Sequence, residues 1–559
     1  MKNKFLLLFA LLIFYSTALL AQTPAKPKLV VGIVIDQMRF DYLYRFQSNY
    51  GKDGFNRLMN EGTNFTYAHF NYVPLYTAPG HSSIYTGTTP YYHGIISNNW
   101  YDRKTGKVIY CCDDNSVSGV GTDGAEGKMS PKNLLATTMT DELKIASNGM
   151  SKVVSVSLKD RGAILPGGHS ADEVYWYDGE SGKFISSTYY MKNLPAWVEK
   201  FNEKKLADYY LSKDWTLSLP TDRYKINSPD DARYEPDLFH EGKNTFPHSF
   251  KNIDPKTKYE TFRYTPYGNQ ILLDFVSEIL SNEKLDGTDA TNFLAISFSS
   301  TDYIGHEYGP NSEEVEDTYI KLDRQIAELL KLLDKHIGKN NYLLFLTADH
   351  GAVEVPEHLK DLRIPAGNFD PKIIRDSVNA FAQRELKTNG IVEKFINKQI
   401  YLNYNKIEYA GLRASELEDK ISNYLYSTFP KIADIRKRSV LLNKLAKRDS
   451  DNFILNGFNY QRSGDIAIEL QPNLQFNAGE DRVTHGTRNS YDTHVPMLFF
   501  GWKIPHHESN EPVYTIDIAP TISSLLHLTE PSSCIGKPIL DALDHNLDLD
   551  RAHDLDHDQ

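Results

Sequence analysis

Short, almost continuous apolar runs recur at wide intervals along the chain: Leu29 to Ile35, Val153 to Val156, Asn292 to Phe298, Tyr342 to Thr347 and Met497 to Phe500. Each has the length of a strand but lacks the alternation of a half-exposed one, the pattern of strands buried on both faces of a parallel sheet. Between the third and fourth runs, Val315, Tyr319, Leu322, Ile326, Leu329, Leu330 and Leu333 recur at spacings of three and four. That spacing predicts a helix of about six turns, capped by Asn311 or Ser312, with Glu313 and Glu314 at its positive end. A strand, a helix and a strand in that order make a right-handed crossover unit. The predicted fold class is therefore α/β, with a doubly wound, mostly parallel central sheet.

Two stretches break this pattern. Residues from about 170 to 285 are rich in Tyr, Lys, Asp and Pro, and residues from about 355 to 480 mix a helical pattern, Ser415 to Tyr426, with a strand-like Asp465 to Leu470. Strands bearing candidate chemistry lie on either side of each, so both read as insertions on one catalytic domain spanning residues 22–540, placed to cap its site. The tail 541–559, with seven Asp, three His and one Arg, reads as a solvated, mobile end.

At the other end, Lys2 and Lys4 precede the apolar run Phe5 to Phe14, and Leu19 and Ala21 stand just before Gln22. This is the layout of a secretory signal over residues 1–21. The run falls short of the about 20 apolar residues that cross a bilayer, so the expected product is periplasmic or secreted, with no membrane anchor once the signal is removed. Three cysteines, Cys111, Cys112 and Cys534, allow one bridge at most and exclude a Cys-rich metal site. A hydrophobic content of 40%, with 12% aromatics, excludes disorder as the main state. The net charge of −12 argues against a nucleic-acid polymer or an anionic membrane as the main partner. A monomer is favoured.

Ligands of an open parallel sheet bind beyond the carboxyl ends of its strands. Asp36 directly follows the first run; Asp302 and His306 follow the third; Asp349 and His350 follow the fourth; His485 stands in Thr484-His485-Gly486-Thr487, before the last. Any one Asp after a strand is more often a cap or turn residue, and a lone His-Gly is usually a turn. Joint occurrence at four strand ends is not required by turns. Three Asp and three His suit zinc, and six ligands exceed one open tetrahedral site. Two metals about 4 Å apart can stabilise the entering and leaving oxygens of an in-line displacement, which is the work of phosphoryl transfer. A nucleophile for it stands in Tyr76-Thr77-Ala78-Pro79-Gly80-His81. Pro79 suits the first turn of a helix, which puts Thr77 at the cap, where free N–H groups and the dipole favour an anion. A hydroxyl ligating zinc there would be lowered in pKa toward an alkoxide.

In chain order, Asp36, Thr77, the pattern Thr301-Asp302-x-x-Gly305-His306-x-x-Gly309-Pro310, Ala348-Asp349-His350-Gly351 and the late His485-Gly486 resemble the alkaline phosphatase superfamily. The resemblance implies one zinc held by Asp302, His306 and His485, a second held by Asp36, Asp349 and His350, and Thr77 as the metal-activated nucleophile. His494 is the rival of His485. Asn98, with Asn99 as the alternative, matches an Asn that hydrogen-bonds a phosphoryl oxygen. Lys159 and Arg161, after the second run, look like the phosphate-gripping pair of the phosphate-irrepressible, PafA-type enzymes, a point charge and a planar fork. The activity so implied is hydrolysis of small phosphate monoesters with two zinc ions and a phosphothreonine intermediate. A phosphodiesterase or nucleotide pyrophosphatase on the same site is the alternative, and a non-catalytic phosphate or metal scavenger a remote one. Thr77 cannot be converted to formylglycine, which disfavours a sulfatase, and no ligand set for a third, magnesium site is evident.

Overall fold

The computed structural model describes residues 26–224, 229–287, 290–449, 452–477 and 482–542. Leu29–Ile35 lies inside a ten-stranded sheet, with Asn292–Phe298 on one side and Tyr342–Thr347 on the other. Val153–Ser157 and then Glu173–Asp178 follow outward from Asn292–Phe298. These five strands pair in parallel. Ile35 is opposite Phe298, Val34 opposite Thr347 and Ser297 opposite Ser157, so the carboxyl ends finish nearly level. Met497–Gly501 adds antiparallel beside Tyr342–Thr347, and Lys183–Ser187 adds antiparallel beyond Glu173–Asp178. Every residue of the three central strands is buried, as runs without alternation require when both faces are covered.

The helix expected after the third run spans Glu313–His336, and all seven of its spaced apolar residues are buried. Ser312 caps it, its Oγ accepting from the Val315 N–H at 3.1 Å. Of the stretch from about 170 to 285, Glu173–Asp178 and Lys183–Ser187 are strands of the central sheet, and the helix Pro266–Asn282 packs on Glu313–His336. The later stretch forms a four-stranded antiparallel sheet in the order Val392–Ile396, Gln399–Leu402, Ile466–Leu470, Ile432–Lys437. Helices Pro371–Leu386 and Ala414–Thr428 cover it, and it has its own apolar core around Ile374, Val378, Ile400, Ile421 and Ile466. The expected leader and nearly all of the acidic tail lie outside the described residues. Among the described residues no helix is long and apolar enough to cross a membrane, and Cys111, Cys112 and Cys534 are free thiols.

Candidate active site

Neighbouring strands run about 4.8 Å apart, so residues just past the level ends of adjacent strands must meet. Tyr342–Thr347 delivers Asp349 and His350, Leu29–Ile35 delivers Asp36, and Asn292–Phe298 runs into the helix Ser300–Tyr308, which carries Asp302 and, one turn on, His306. His485 arrives from the loop before the last strand. Ligand atoms of Asp36, Asp349 and His350 all lie within 4.8 Å of one another, and so do those of Asp302, His350 and His485. His306 stands beside the second group, its Nε2 3.2 Å from Asp302 Oδ1 and its ring centroid 5.3 Å from that of His485. His350 and His485 stack at 3.6 Å. The six sequence-derived candidates thus share one pocket, with His350 between the two groups. His494 is elsewhere: its ring stacks on Phe40 at 4.1 Å, and its Nε2 meets the Thr66 carbonyl at 2.9 Å.

The imidazoles are oriented from behind. Nδ1 of His306 lies 2.6 Å from the Val483 carbonyl oxygen, Nδ1 of His350 3.0 Å from that of Gly351, and Nδ1 of His485 2.7 Å from that of Leu75. A carbonyl oxygen can only accept, so each Nδ1 carries a proton, and each ring turns its Nε2 into the cluster, where the neutral form offers a lone pair. Burial favours that neutral form, lowering the pKa of His350 and, farther, of His485.

One ammonium reaches the carboxylates: Lys159 Nζ sits 2.6 Å from Asp36 Oδ2 and 2.5 Å from Asp302 Oδ2. Three buried carboxylates need more. Burial, then Asp302 and Asp349, push the Asp36 carboxyl well above its ordinary range. Burial acts the same way on the other two, but His306 and Lys159 hold Asp302 well below that range, and His350 and His81 do so for Asp349. Asp36 Oδ1 and His350 Nε2 are buried without a hydrogen-bond partner, 3.5 Å apart. Asp349 Oδ2, 3.8 Å from His350 Nε2 and 3.3 Å from His81 Nδ1, is also buried without a hydrogen bond. Each orphaned acceptor costs about 1–3 kcal/mol, and a cation among them would satisfy all three. The donor set fits a divalent metal that takes imidazole and carboxylate.

Thr77 opens the buried helix Thr77–Thr86. Tyr76, with extended backbone, is its cap, so Thr77 is the first helical residue, one step inside the position the sequence suggests, and Pro79 is the third. Thr77 still lies in the turn whose N–H groups have no helical acceptor. Asn98 Oδ1 accepts from the Ala78 N–H at 2.9 Å, which brings that side chain to the same helix end. Asn99 instead begins a strand. The Tyr76 ring meets His485 edge-on at 5.4 Å.

Two residues given no role from the sequence organise this arrangement. His81, one turn after Thr77, is buried; its Nδ1 donates to the Thr77 carbonyl at 2.9 Å and lies 3.3 Å from Asp349 Oδ2, while its Nε2 meets Ser297 Oγ at 2.8 Å. Gln37, in the left-handed region at φ 63°, donates from its backbone N–H to Asp349 Oδ1 at 3.1 Å and from Nε2 to Asp302 Oδ1 at 2.7 Å, fixing the spacing of two carboxylates. The hint available for His81 is its i+4 spacing from Thr77; for Gln37 there is none. Gly80 lets helix and strand end touch, since a Cβ there would lie 2.4 Å from the Asp349 carbonyl oxygen. Gly80→Ala is expected to cost about 1–3 kcal/mol and to lower kcat in protein that still folds, which a thermal melt paired with turnover would check.

Arg161 stands on the helix Asp160–Gly167, which packs on Thr77–Thr86. Its Nη1 donates to Tyr110 Oη at 3.1 Å, and it lines a cavity of about 600 Å³ together with Trp176 and Arg263.

A family model described as type I phosphodiesterase / nucleotide pyrophosphatase matches residues 30–494. Alkaline phosphatase PhoV of Synechococcus elongatus is 45% identical over 529 residues, covering 93% of this chain and 94% of that one. A Myroides odoratus protein named calcium-transporting ATPase is 42% identical, covering 97% of this chain and 100% of that one. The crystal structure of wild-type alkaline phosphatase PafA superposes with a TM-score of 0.89 at 40% identity, covering 93% of this chain and 99% of that one. With a family model spanning most of its length and relatives this similar from end to end, the chain belongs to the type I phosphodiesterase / nucleotide pyrophosphatase family, in the PafA-type branch of the alkaline phosphatase superfamily.

Proposed function

We propose that the protein is an exported alkaline phosphatase that hydrolyses small phosphate monoesters through a phosphothreonine at Thr77, with two zinc ions. The observation that carries the reading is the set of orphaned acceptors on Asp36, Asp349 and His350 beside a helix end bearing Thr77 and Asn98. Asp36, Asp349 and His350 would hold one zinc ion, and Asp302, His306 and His485 the other. Bound zinc would supply Lewis-acid stabilisation of oxygen anions and lower the pKa of a nearby hydroxyl. The names of PhoV and PafA support a phosphatase, and residues 1–21 support export to the periplasm or medium. The acidic balance supports small esters rather than a nucleic-acid polymer as partner, and a monomer suffices for a site built from one chain.

In this mechanism Thr77 loses its hydroxyl proton and its Oγ attacks phosphorus, forming the Oγ–P bond as the bond to the leaving alcohol breaks. The leaving alkoxide takes up a proton. Water then attacks the phosphothreonine, and phosphate departs as Thr77 regains its proton. The Asn98 side chain, held at the helix end by Ala78, offers its amide to a phosphoryl oxygen. Lys159 brings an ammonium to the floor of the site, and Arg161 supplies a planar fork for the non-bridging oxygens. His81 keeps the Thr77 turn and Asp349 in register. Gln37 does the same for Asp302 and Asp349.

The description of the matching family favours a second reading, a phosphodiesterase or nucleotide pyrophosphatase on the same residues. A diester carries one charge fewer and gains less from Arg161. Arg161→Ala is expected to lower kcat/KM for a monoester about 100-fold, and for a matched diester less than about fivefold. Steady-state rates on the two esters decide: equal losses favour the second reading.

A further inference from the structure

The antiparallel module of residues 367–476 supplies no residue to the chemistry above, yet it reaches the site. The turn Asn397-Lys398, between Val392–Ile396 and Gln399–Leu402, has both residues in the left-handed region, at φ 53° and 62°. It is tied down on two sides. Asn397 Nδ2 donates to the carbonyl of Asn99, next to Asn98, and Lys398 Nζ donates to that of Gly486, next to His485, each at 2.5 Å.

Beside this turn lies a cavity of about 580 Å³, walled toward the site by Tyr76 and Thr484 and on the module side by Lys372, Arg375 and Lys394 against one carboxylate, Glu393. Its volume is that of a small-molecule pocket. Arg375 shares its charge with Asp376, at 2.8 Å, whereas the Lys372 and Lys394 ammonium groups have no ion pair among the described residues. Phe395 and Phe476, in edge contact at 5.4 Å, add a ring-sized apolar surface. The cavity at Arg161 instead sets five carboxylates, those of Asp113, Glu126, Asp160, Glu180 and Glu260, against three cations, Arg161, Lys256 and Arg263. Of the two, the Lys372 and Lys394 side has the excess of cationic side chains.

We propose that this basic cavity receives the leaving group of substrates whose leaving group itself carries phosphate on a flat-ringed body, with a nucleoside diphosphate as the representative compound. The inference rests on the phosphatase reading and adds a substrate class to it. With ADP, Thr77 Oγ bonds to the terminal phosphorus as that phosphorus loses its bond to the bridging oxygen. AMP leaves, its phosphate against Lys372 and Lys394 and its purine against the phenylalanines. Water then releases inorganic phosphate from Thr77.

The test is the double variant Lys372→Ala/Lys394→Ala, two exposed positions, with ADP and AMP as probes, since AMP releases an uncharged leaving group. The ratio of kcat/KM for ADP to that for AMP is expected to fall about tenfold, and in the parent enzyme the same ratio should fall as salt rises. A ratio unmoved by the two substitutions overturns the proposal. Calorimetric binding of both nucleotides to zinc-loaded Thr77→Ala protein, with and without the lysine changes, reads the cavity without turnover. Weaker ADP binding with AMP binding unmoved supports it, and parallel changes overturn it. A parent that turns over neither nucleotide nor any other ester sinks the phosphatase reading, while this binding comparison still decides the cavity.

Discussion

Thr77→Ala is expected to lower kcat/KM for a phosphate monoester by at least about 10³-fold and to leave no phosphate covalently attached to the protein. The loss should be one of chemistry rather than folding. The helix cap is Tyr76, and the bond from Ala78 to Asn98 uses the backbone N–H, so neither anchor depends on the Thr77 side chain. The His81 contact also uses the Thr77 carbonyl and survives the change. Thr77→Ser keeps an oxygen at the same place and should retain both turnover and labelling. Acid quench of the parent with substrate, followed by peptide mass spectrometry, should find one phosphorylated residue in the peptide containing Thr77. Full activity of the alanine variant, or a label on another residue, would remove Thr77 from its role.

The parts of the molecule legible in the sequence are those where one force dominates. Leu29–Ile35, Asn292–Phe298 and Tyr342–Thr347 can be read because burial on both faces leaves no alternation to confuse them with anything else. Their polar successors can be read because a strand end fixes where the next side chains go. Glu173–Asp178 escapes, since its apolar residues are Val, Tyr, Trp and Tyr between two acids, and Tyr is equally common in loops. The antiparallel module escapes as a unit because its pairings join residues as distant as Gln399 and Ala467, which no local pattern announces. Gln37 is opaque for a different reason: a left-handed glutamine is disfavoured locally and is held by Asp302 and Asp349, both more than 260 positions away. Thr77 falls one step from its expected place because Pro is tolerated throughout the first helical turn and so marks that turn without fixing its first residue. The choice between His485 and His494 turns on tertiary contacts alone, the His350 ring for one and the Phe40 ring for the other.

Removal of divalent cations should abolish turnover and lower the melting temperature by several degrees, with zinc restoring both. The reason lies in the charge count of the pocket. Asp36, Asp302 and Asp349 are buried together with a single ammonium, that of Lys159, in contact with two of them. Without cations, Asp36, whose carboxyl is already pushed up by burial and by its two neighbours, would take a proton, and the lone pair of His350 would stay unpaired. A metal that binds only the folded chain stabilises it by about 4 kcal/mol at a thousandfold excess over its dissociation constant, and loss of that contribution is what a melt reads. Asp36→Asn separates this account from a generic effect of chelators. Asn carries the same charge as the protonated Asp36 of the metal-free parent, so the metal-free variant should melt close to the metal-free parent, while its gain on adding zinc should shrink. Metal analysis of the repleted parent should find two zinc ions per chain. Identical melting of the parent in chelator and in zinc would show that the carboxylates are balanced by something other than a metal, and the phosphoryl-transfer reading would lose its electrophile.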